Sequence, residues 1–195
     1  MTLVVVLIVA YLLGSIPTSY IVVYRYTGRD IREMGTGNPG AMNVFDSVGL
    51  RPAIIVGVID VLKGMAAVGV AYIAGASDLQ AVLAAAVAIM GHDYSVFLRL
   101  HGGNGTATAV GALAFLVPLP TIIAASFAAA AVLVVGSRRI AGMAGLLSVP
   151  ALAFWFDAPD TKVLGSILIL TITALKIIRF EVIPLKQRGL LLQVH

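Results

Sequence analysis

The chain contains no cysteine. Disulfides, thiolate metal sites and cysteine nucleophiles are therefore excluded. Charge is scarce as well: 11% of the 195 residues are Asp, Glu, Lys or Arg, and only three residues are histidine. The acidic residues are scattered and the histidines lie far apart in sequence, so no metal-ligand cluster is visible. What fills the chain is apolar. Hydrophobic residues make up 60%, and the mean hydropathy is +1.04. A soluble domain rarely exceeds about half apolar residues. The composition predicts one integral membrane domain over residues 1–195 with no separate soluble domain. The net charge of +4 then reports topology, and nucleic acid is not an expected partner. The apolar N-terminus, residues 1–24, lacks the basic leader of a signal peptide and reads as a first span.

Apolar runs fall at 2–24, 52–75, 79–98, 106–135, 140–156 and 163–179. The fourth, as a helix, would be ~45 Å long against a hydrocarbon core of ~30 Å. Pro118-Leu119-Pro120 interrupts it. Each proline removes an N–H, and Leu119 before Pro120 is biased away from helix. Splitting the run there gives seven spans. Charge supports the split. With seven spans, Arg25, Arg29, Arg32, Arg51, Arg99, Arg138, Arg139, Lys176, Arg179, Lys186 and Arg188 share one side, Lys162 alone takes the other, and Lys63 lies within a span. With six spans the last six of the shared set would change sides. The positive-inside rule therefore predicts seven short transmembrane helices, with the N-terminus outside and the C-terminus cytoplasmic. Run 106–117, ~18 Å long as a helix, requires the preceding loop to dip inward, which is tolerated where it lines a polar cavity.

Two glycine-rich loops then face the cytoplasm: residues 35–43 and residues 102–108. Such loops bring backbone N–H groups close to a ligand, usually an anion. The first offers Thr36, Asn38 and Asn43 among Gly35, Gly37 and Gly40. The second offers Asn104, Thr106 and Thr108 among Gly102, Gly103 and Gly105. Hydroxyl and amide groups orient phosphate oxygens; equally, the loops could be tight turns, with Thr106 or Thr108 capping the next helix. Neither fits a nucleotide-binding pattern. Asp60 and Lys63 lie within the second span at i,i+3 spacing, either as a buried ion pair or as a lysine aimed at a phosphate and held by Asp60. His92, near the end of the third span, is either an acid–base group or a hydrogen-bonded structural residue. The basic residues after the last span suit a topology anchor, with Arg179 the candidate exception.

These stretches, in this order, resemble the bacterial acyl-phosphate:glycerol-3-phosphate acyltransferases from Gly14-Ser15-Ile16-Pro17 to about Arg179. The matching residues are Asp30-Ile31-Arg32, Gly37-Asn38-Pro39-Gly40-Ala41 with Asn43-Val44, Asp60-Val61-Leu62-Lys63-Gly64, Gly91-His92 with Phe97, and Gly102-Gly103 with Gly105, Ala107 and Thr108. The resemblance implies an all-α, seven-span fold in the bacterial inner membrane, with both loops forming a cytoplasmic active site. It implies acyl transfer from acyl phosphate to glycerol 3-phosphate, giving lysophosphatidic acid in phospholipid synthesis, with membrane lipids as the surroundings and no cofactor or metal. Thr36, Lys63 and His92 become the expected catalytic residues. Gly35, Gly37, Asn38, Gly40, Asn43, Gly102, Gly103, Asn104, Gly105, Thr106, Thr108 and Arg179 become the expected substrate contacts. A monomer would suffice to enclose one such site.

The chain also departs from that pattern. Thr36 replaces a serine and Met42 a threonine. Asp46 replaces an arginine, Asn104 a lysine, Phe180 a histidine and Ile183 an asparagine. Ala141 aligns with a serine. A related transferase with another acceptor, or a non-catalytic lipid-binding relative, are the alternative readings these departures raise. A transporter would suit the intramembrane charges, but no inverted repeat of broken spans is seen.

Overall fold

The computed structural model describes residues 2–179, and all regular structure in them is helical. The helices are α1 (Leu3–Ser15), α2 (Thr18–Thr27), α3 (Ala41–Ser47), α4 (Leu50–Ile73), α5 (Asp78–Asp93), α6 (Thr106–Leu116), α7 (Pro118–Val135), α8 (Arg138–Trp155) and α9 (Asp160–Ile177). Short 3-10 turns occupy Ile31–Glu33 and Val96–Leu98. Four segments among the described residues are long and apolar enough to cross a bilayer: Leu3–Thr27, Leu50–Ile73, Asp78–Leu98 and Pro118–Val135. Thr106–Leu116 and Ile140–Trp155 are shorter apolar helices. The fold is thus an all-α, multi-pass membrane bundle.

Large apolar side chains point outward. Ile73, Leu133 and Val134 are each at least 87% exposed, as suits a surface solvated by lipid. The interior is built from small residues: Ala67, Ala71, Ala81, Ala84, Ala85, Ala88, Ala109 and Ala112 are buried together. This inverts the soluble pattern. Helix association in lipid gains nothing from hiding leucine, but it gains from close packing, which small residues permit. Helix α5 lies at the centre, packed by α1, α4, α6 and α9. Where α4 crosses α6 the backbones touch: a Cβ on Gly64 would strike the Thr108 carbonyl, and one on Gly111 the Val61 carbonyl.

The N-terminal run is not the continuous helix that its apolarity predicts. It breaks at Ile16–Pro17, because Pro17 has no N–H to continue the ladder and its ring crowds the preceding turn. The carbonyls at the break are met locally by the Thr18 N–H, on Ile16 O at 2.9 Å, and by side chains distant in sequence. Ser15 O accepts the Ser95 hydroxyl at 2.5 Å, and Ile16 O accepts Lys63 Nζ at 3.2 Å. The 106–135 run does split, one residue before the expected position. Val117 carries the break, and Pro118 begins α7 at the helix position that tolerates proline, so Leu119 is helical after all.

Replacing Gly64 or Gly111 by alanine should lower stability by about 1–3 kcal/mol, because the added methyl meets rigid backbone. Gly142→Ala is the control: a Cβ there meets nothing within 4 Å. Thermal unfolding in detergent should show lower midpoints for the first two and an unchanged one for the third.

Candidate active site

The first glycine loop is held from within. Asp30 caps the turn after it, accepting the Arg32 N–H at 2.9 Å, and its carboxylate pairs with the Arg32 guanidinium at 2.6 Å. The hydrogen bonds from Arg32 hold the Asp30 carboxyl below the ordinary carboxylate range. Arg32 Nη1 also donates to Leu98 O at 3.3 Å, tying this loop to the turn before the second one. Asn43, 2% exposed, is the hub. Its Oδ1 accepts the Thr36 N–H at 3.0 Å and the Ser47 hydroxyl at 3.2 Å. Its Nδ2 donates to Met34 O at 3.0 Å and to Ile31 O at 3.4 Å. A side-chain amide has two donors and two acceptor positions, so Asn43 is fully used inside the loop. It is a staple of the site more than a ligand.

Several of the loop N–H groups turn inward. The Gly37 N–H donates to Met34 O, that of Gly40 to Asn38 O and that of Asn38 to the Thr36 hydroxyl. In the second loop, the Gly102 N–H donates to Asp93 O at 3.1 Å and the Gly103 N–H to His92 O at 3.2 Å. The glycines serve close approach instead. A Cβ on Gly102 would fall on the His92 carbonyl; one on Gly103 would strike the His92 ring and lie 3.0 Å from Pro39 O. The second loop is thereby pressed between the end of α5 and the first loop. Gly105, with φ +66°, turns the chain into α6 and stands at its N-cap. Neither Thr106 nor Thr108 caps that helix: Thr106 is its first residue, and Thr108 is buried within it, its hydroxyl unpartnered among the described residues. The first-turn N–H groups of α6 are among the backbone donors that could meet an anion.

Two cavities meet at these loops. One, of about 300 Å³, has a polar end formed by Thr36, Asn38, Asp60, His92, Asn104, Gly105 and Thr106, and an apolar wall of Val110, Met143 and Ile177 from α6, α8 and α9. Arg138 also lines it. The other is a polar cleft of about 760 Å³ lined by Arg32, Gly37, Arg99, Gly102, Tyr94 and Lys176. Thr36, Asn38 and Asn104 belong to both.

Lys63 lines neither. It is buried, with Nζ 2.8 Å from Asp60 Oδ1 in an ion pair by distance that lacks hydrogen-bond alignment, and it faces a water-sized space of about 10 Å³ beside Ser15 and His92. His92 lies between that space and the larger chamber, its Nδ1 3.8 Å from Asp60 Oδ1. Asp60 and Lys63 are thus paired by distance, and Lys63 lies beside the small space, outside the lining of both larger cavities. Gly35 and Thr108 line neither large cavity, and Arg179 is exposed after α9. Phe180 and Ile183 lie outside the described residues. At Asp46, where the family pattern has arginine, a cation arrives from elsewhere: Arg138 places Nη2 3.8 Å from its carboxylate and its guanidinium 4.0 Å over the Phe45 ring.

Sequence reasoning missed Asp93 and Lys176. Asp93 is 1% exposed, and both its carboxylate oxygens lack a hydrogen-bond partner among the described residues. Lys176 is buried in α9 and is no surface anchor. Both interrupt apolar runs, the same signal that singled out Asp60 and Lys63.

An all-helical membrane bundle that gathers hydroxyl, amide and cationic groups at one end, beside an apolar-walled chamber, defines a class of membrane protein suited to a ligand with a polar head and a greasy tail. The chain belongs to the glycerol-3-phosphate acyltransferase family, whose sequence profile matches residues 4–183. It is 39% identical over 158 residues to glycerol-3-phosphate acyltransferase 2 of Moorella thermoacetica, covering 81% of each chain. It is 50% identical over 112 residues to the glycerol-3-phosphate acyltransferase of Thermus thermophilus, a match spanning 57% of this chain and 56% of that protein's length. Its fold is similar to the crystal structure of PlsY, an integral membrane glycerol 3-phosphate acyltransferase, in its glycerol 3-phosphate form. The TM-score is 0.85 at 26% identity, covering 97% of this chain and 94% of that one.

Removing one member of the buried Asp60–Lys63 pair strands the other. Lys63→Met should cost about 3–5 kcal/mol, and the double variant Asp60→Asn, Lys63→Met should recover a large part of it. Thermal unfolding of the single and double variants measures the coupling; additive losses would refute it.

Proposed function

We propose that this chain transfers an acyl group from acyl phosphate to glycerol 3-phosphate, giving lysophosphatidic acid and inorganic phosphate. The observation that carries this reading is the shared wall of Thr36, Asn38 and Asn104 between an apolar-walled chamber and a polar cleft. A donor with a phosphate head and an acyl tail suits the chamber, with its tail along Val110, Met143 and Ile177. A small polar phosphate monoester suits the cleft. The two would meet at the shared wall.

Acyl phosphate is a mixed anhydride and needs no covalent enzyme intermediate. A hydroxyl oxygen of glycerol 3-phosphate attacks the acyl carbon. The bond from that carbon to the phosphate oxygen breaks, and the hydroxyl proton ends on the released phosphate. The protein's task is to bring the reactants together and to offer donors to the phosphates, and such orientation supplies much of a barrier reduction. Thr36, Asn38 and Asn104 present hydroxyl and amide groups, and α6 presents its first-turn N–H groups. Arg138 adds charge on the chamber side. His92 faces the same chamber and can donate to or accept from the reacting phosphate. Lys63 acts as a positioning residue: by holding Asp60 and the Ile16 carbonyl it fixes α4 against the break between α1 and α2, beside His92.

The membrane arrangement belongs to the same proposal. Counting α1 with α2 as one crossing, then α4, α5, α6, α7, α8 and α9, gives seven spans. The basic residues near Arg29, Arg99 and Arg138 face the cytoplasm, and the loops near Ser77 and Ala158 face outward. The membrane is then the bacterial inner membrane.

Purified protein given acyl phosphate should release phosphate only when glycerol 3-phosphate is added; no turnover at high enzyme sinks the reading, and turnover with another acceptor alone redirects it. Lys63→Ala should cut the rate at least about tenfold, the loss expected when a buried support of the site is removed. The absence of native cysteine makes the topology directly testable. Cysteines at Ser77 and Ala158 should react with an impermeant maleimide in intact cells, and cysteines at Arg29 and Ser137 only after permeabilisation. Labelling of Ser137→Cys in intact cells would overturn the seven-span arrangement.

A further inference from the structure

Lys176 differs from the other basic residues at this end of the bundle. Near the end of the last apolar helix it would be an ordinary interfacial anchor if it reached water. Instead it is 7% exposed. Its Nζ donates to the Asp93 carbonyl at 3.0 Å and sits 4.1 Å from the centre of the Tyr94 ring. These contacts draw the ammonium from α9 onto the end of α5, where it lines the polar cleft together with Thr36, Asn38 and Asn104.

The other charges of the cleft are placed differently. Arg32 commits its guanidinium to Asp30 and to the Leu98 carbonyl. Arg99 and His101 are exposed. Asp30 and Glu33 bring negative charge to the same cleft. The second loop itself contributes an uncharged amide at Asn104. Among the described residues of the cleft, Lys176 is the one buried cation. A charge in low-dielectric surroundings acts on a neighbouring anion more strongly than one in water, and salt screens it less.

We propose that Lys176 is a phosphate ligand in this cleft, binding the phosphate monoester of the acyl acceptor from the last helix. The proposal rests on the acyl-transfer reading and assigns that reaction's acceptor one of its contacts. The phosphate of the acceptor is remote from the bond that forms. Losing a contact to it weakens ground state and transition state alike, so the loss falls on KM and spares kcat.

Kinetics of Lys176→Met and Lys176→Arg test this. In the methionine variant the KM for glycerol 3-phosphate should rise about tenfold to a hundredfold, the worth of one charge-assisted hydrogen bond. The KM for acyl phosphate and kcat should stay within about threefold of wild type, as should all three constants in the arginine variant. A second readout needs no turnover: glycerol 3-phosphate and inorganic phosphate should each raise the unfolding temperature of the wild-type protein in detergent, and this rise should vanish in Lys176→Met. An unchanged KM for glycerol 3-phosphate with undiminished stabilisation overturns the proposal. So does an equal rise in both KM values with a lower unfolding temperature, which would make Lys176 a packing residue. If the methionine variant does not fold, Lys176→Gln replaces it, and failure of both to fold also overturns the assignment. If phosphate stabilises the wild-type protein through Lys176 but no acyl transfer occurs, the acyl-transfer reading fails and the phosphate contact stands.

Discussion

The functional end of this protein depends on how the second glycine loop is seated on the last turn of α5. A helix ends with carbonyls that no N–H of its own can reach. Here the His92 and Asp93 carbonyls are met by the Gly103 and Gly102 N–H groups, and the Asp93 carbonyl also receives Lys176. That seating draws α9 toward α5 and presses Gly103 against Pro39 of the first loop. The Ser19 hydroxyl, bonded to Pro39 O at 2.6 Å, fixes the first loop from the other side. Two cavities with a common wall result because two loops are locked edge to edge at the end of one central helix.

Burial of charge follows the same logic. Asp60 and Lys63 lie inside a span, where an isolated charge is costly, so they pair. The lysine also donates to the Ile16 carbonyl, which accepts the Thr18 N–H as well, at the break before Pro17. The break between α1 and α2 and the lysine of α4 are thus tied through one backbone carbonyl. Arg138 and Asp46 repeat the pattern at the chamber edge: a charge of one sign at one position is answered from another helix.

Much of the fold was legible in the sequence, because apolar runs and proline positions act locally. Pro118 split the fourth run as its chemistry requires. Pro17 carried the same signal, but the length of the surrounding apolar run masked it. The site was legible in outline only. Glycine at 102 and 103 marks a tight place without saying what is tight. The loops read as anion cradles, whereas several of their N–H groups turn inward and the steric demand on Gly102 and Gly103 comes from His92, Asp93 and Pro39. Asn43 read as a ligand because an amide between glycines can serve either role, and only the fold shows its four bonds closing on its own loop. Lys176 read as an anchor because burial at a helix end is decided by neighbours distant in sequence, here Asp93 and Tyr94.

The two cavities differ in their walls, and on the proposed membrane arrangement they open to different phases. The chamber's apolar wall comes from helices whose outer faces are solvated by lipid, and the cleft is lined by the polar groups of the loops. On the proposed reaction, the donor is therefore measured out by its surface density in the bilayer and the acceptor by its concentration in water. Diluting the membrane with inert lipid would slow the reaction with respect to one substrate alone, while the other would respond only to the bulk solution. The lipid product would be released into the plane from which its acyl chain came, and phosphate would leave into water, so the wall of Thr36, Asn38 and Asn104 would act as a sorting boundary as well as a meeting point.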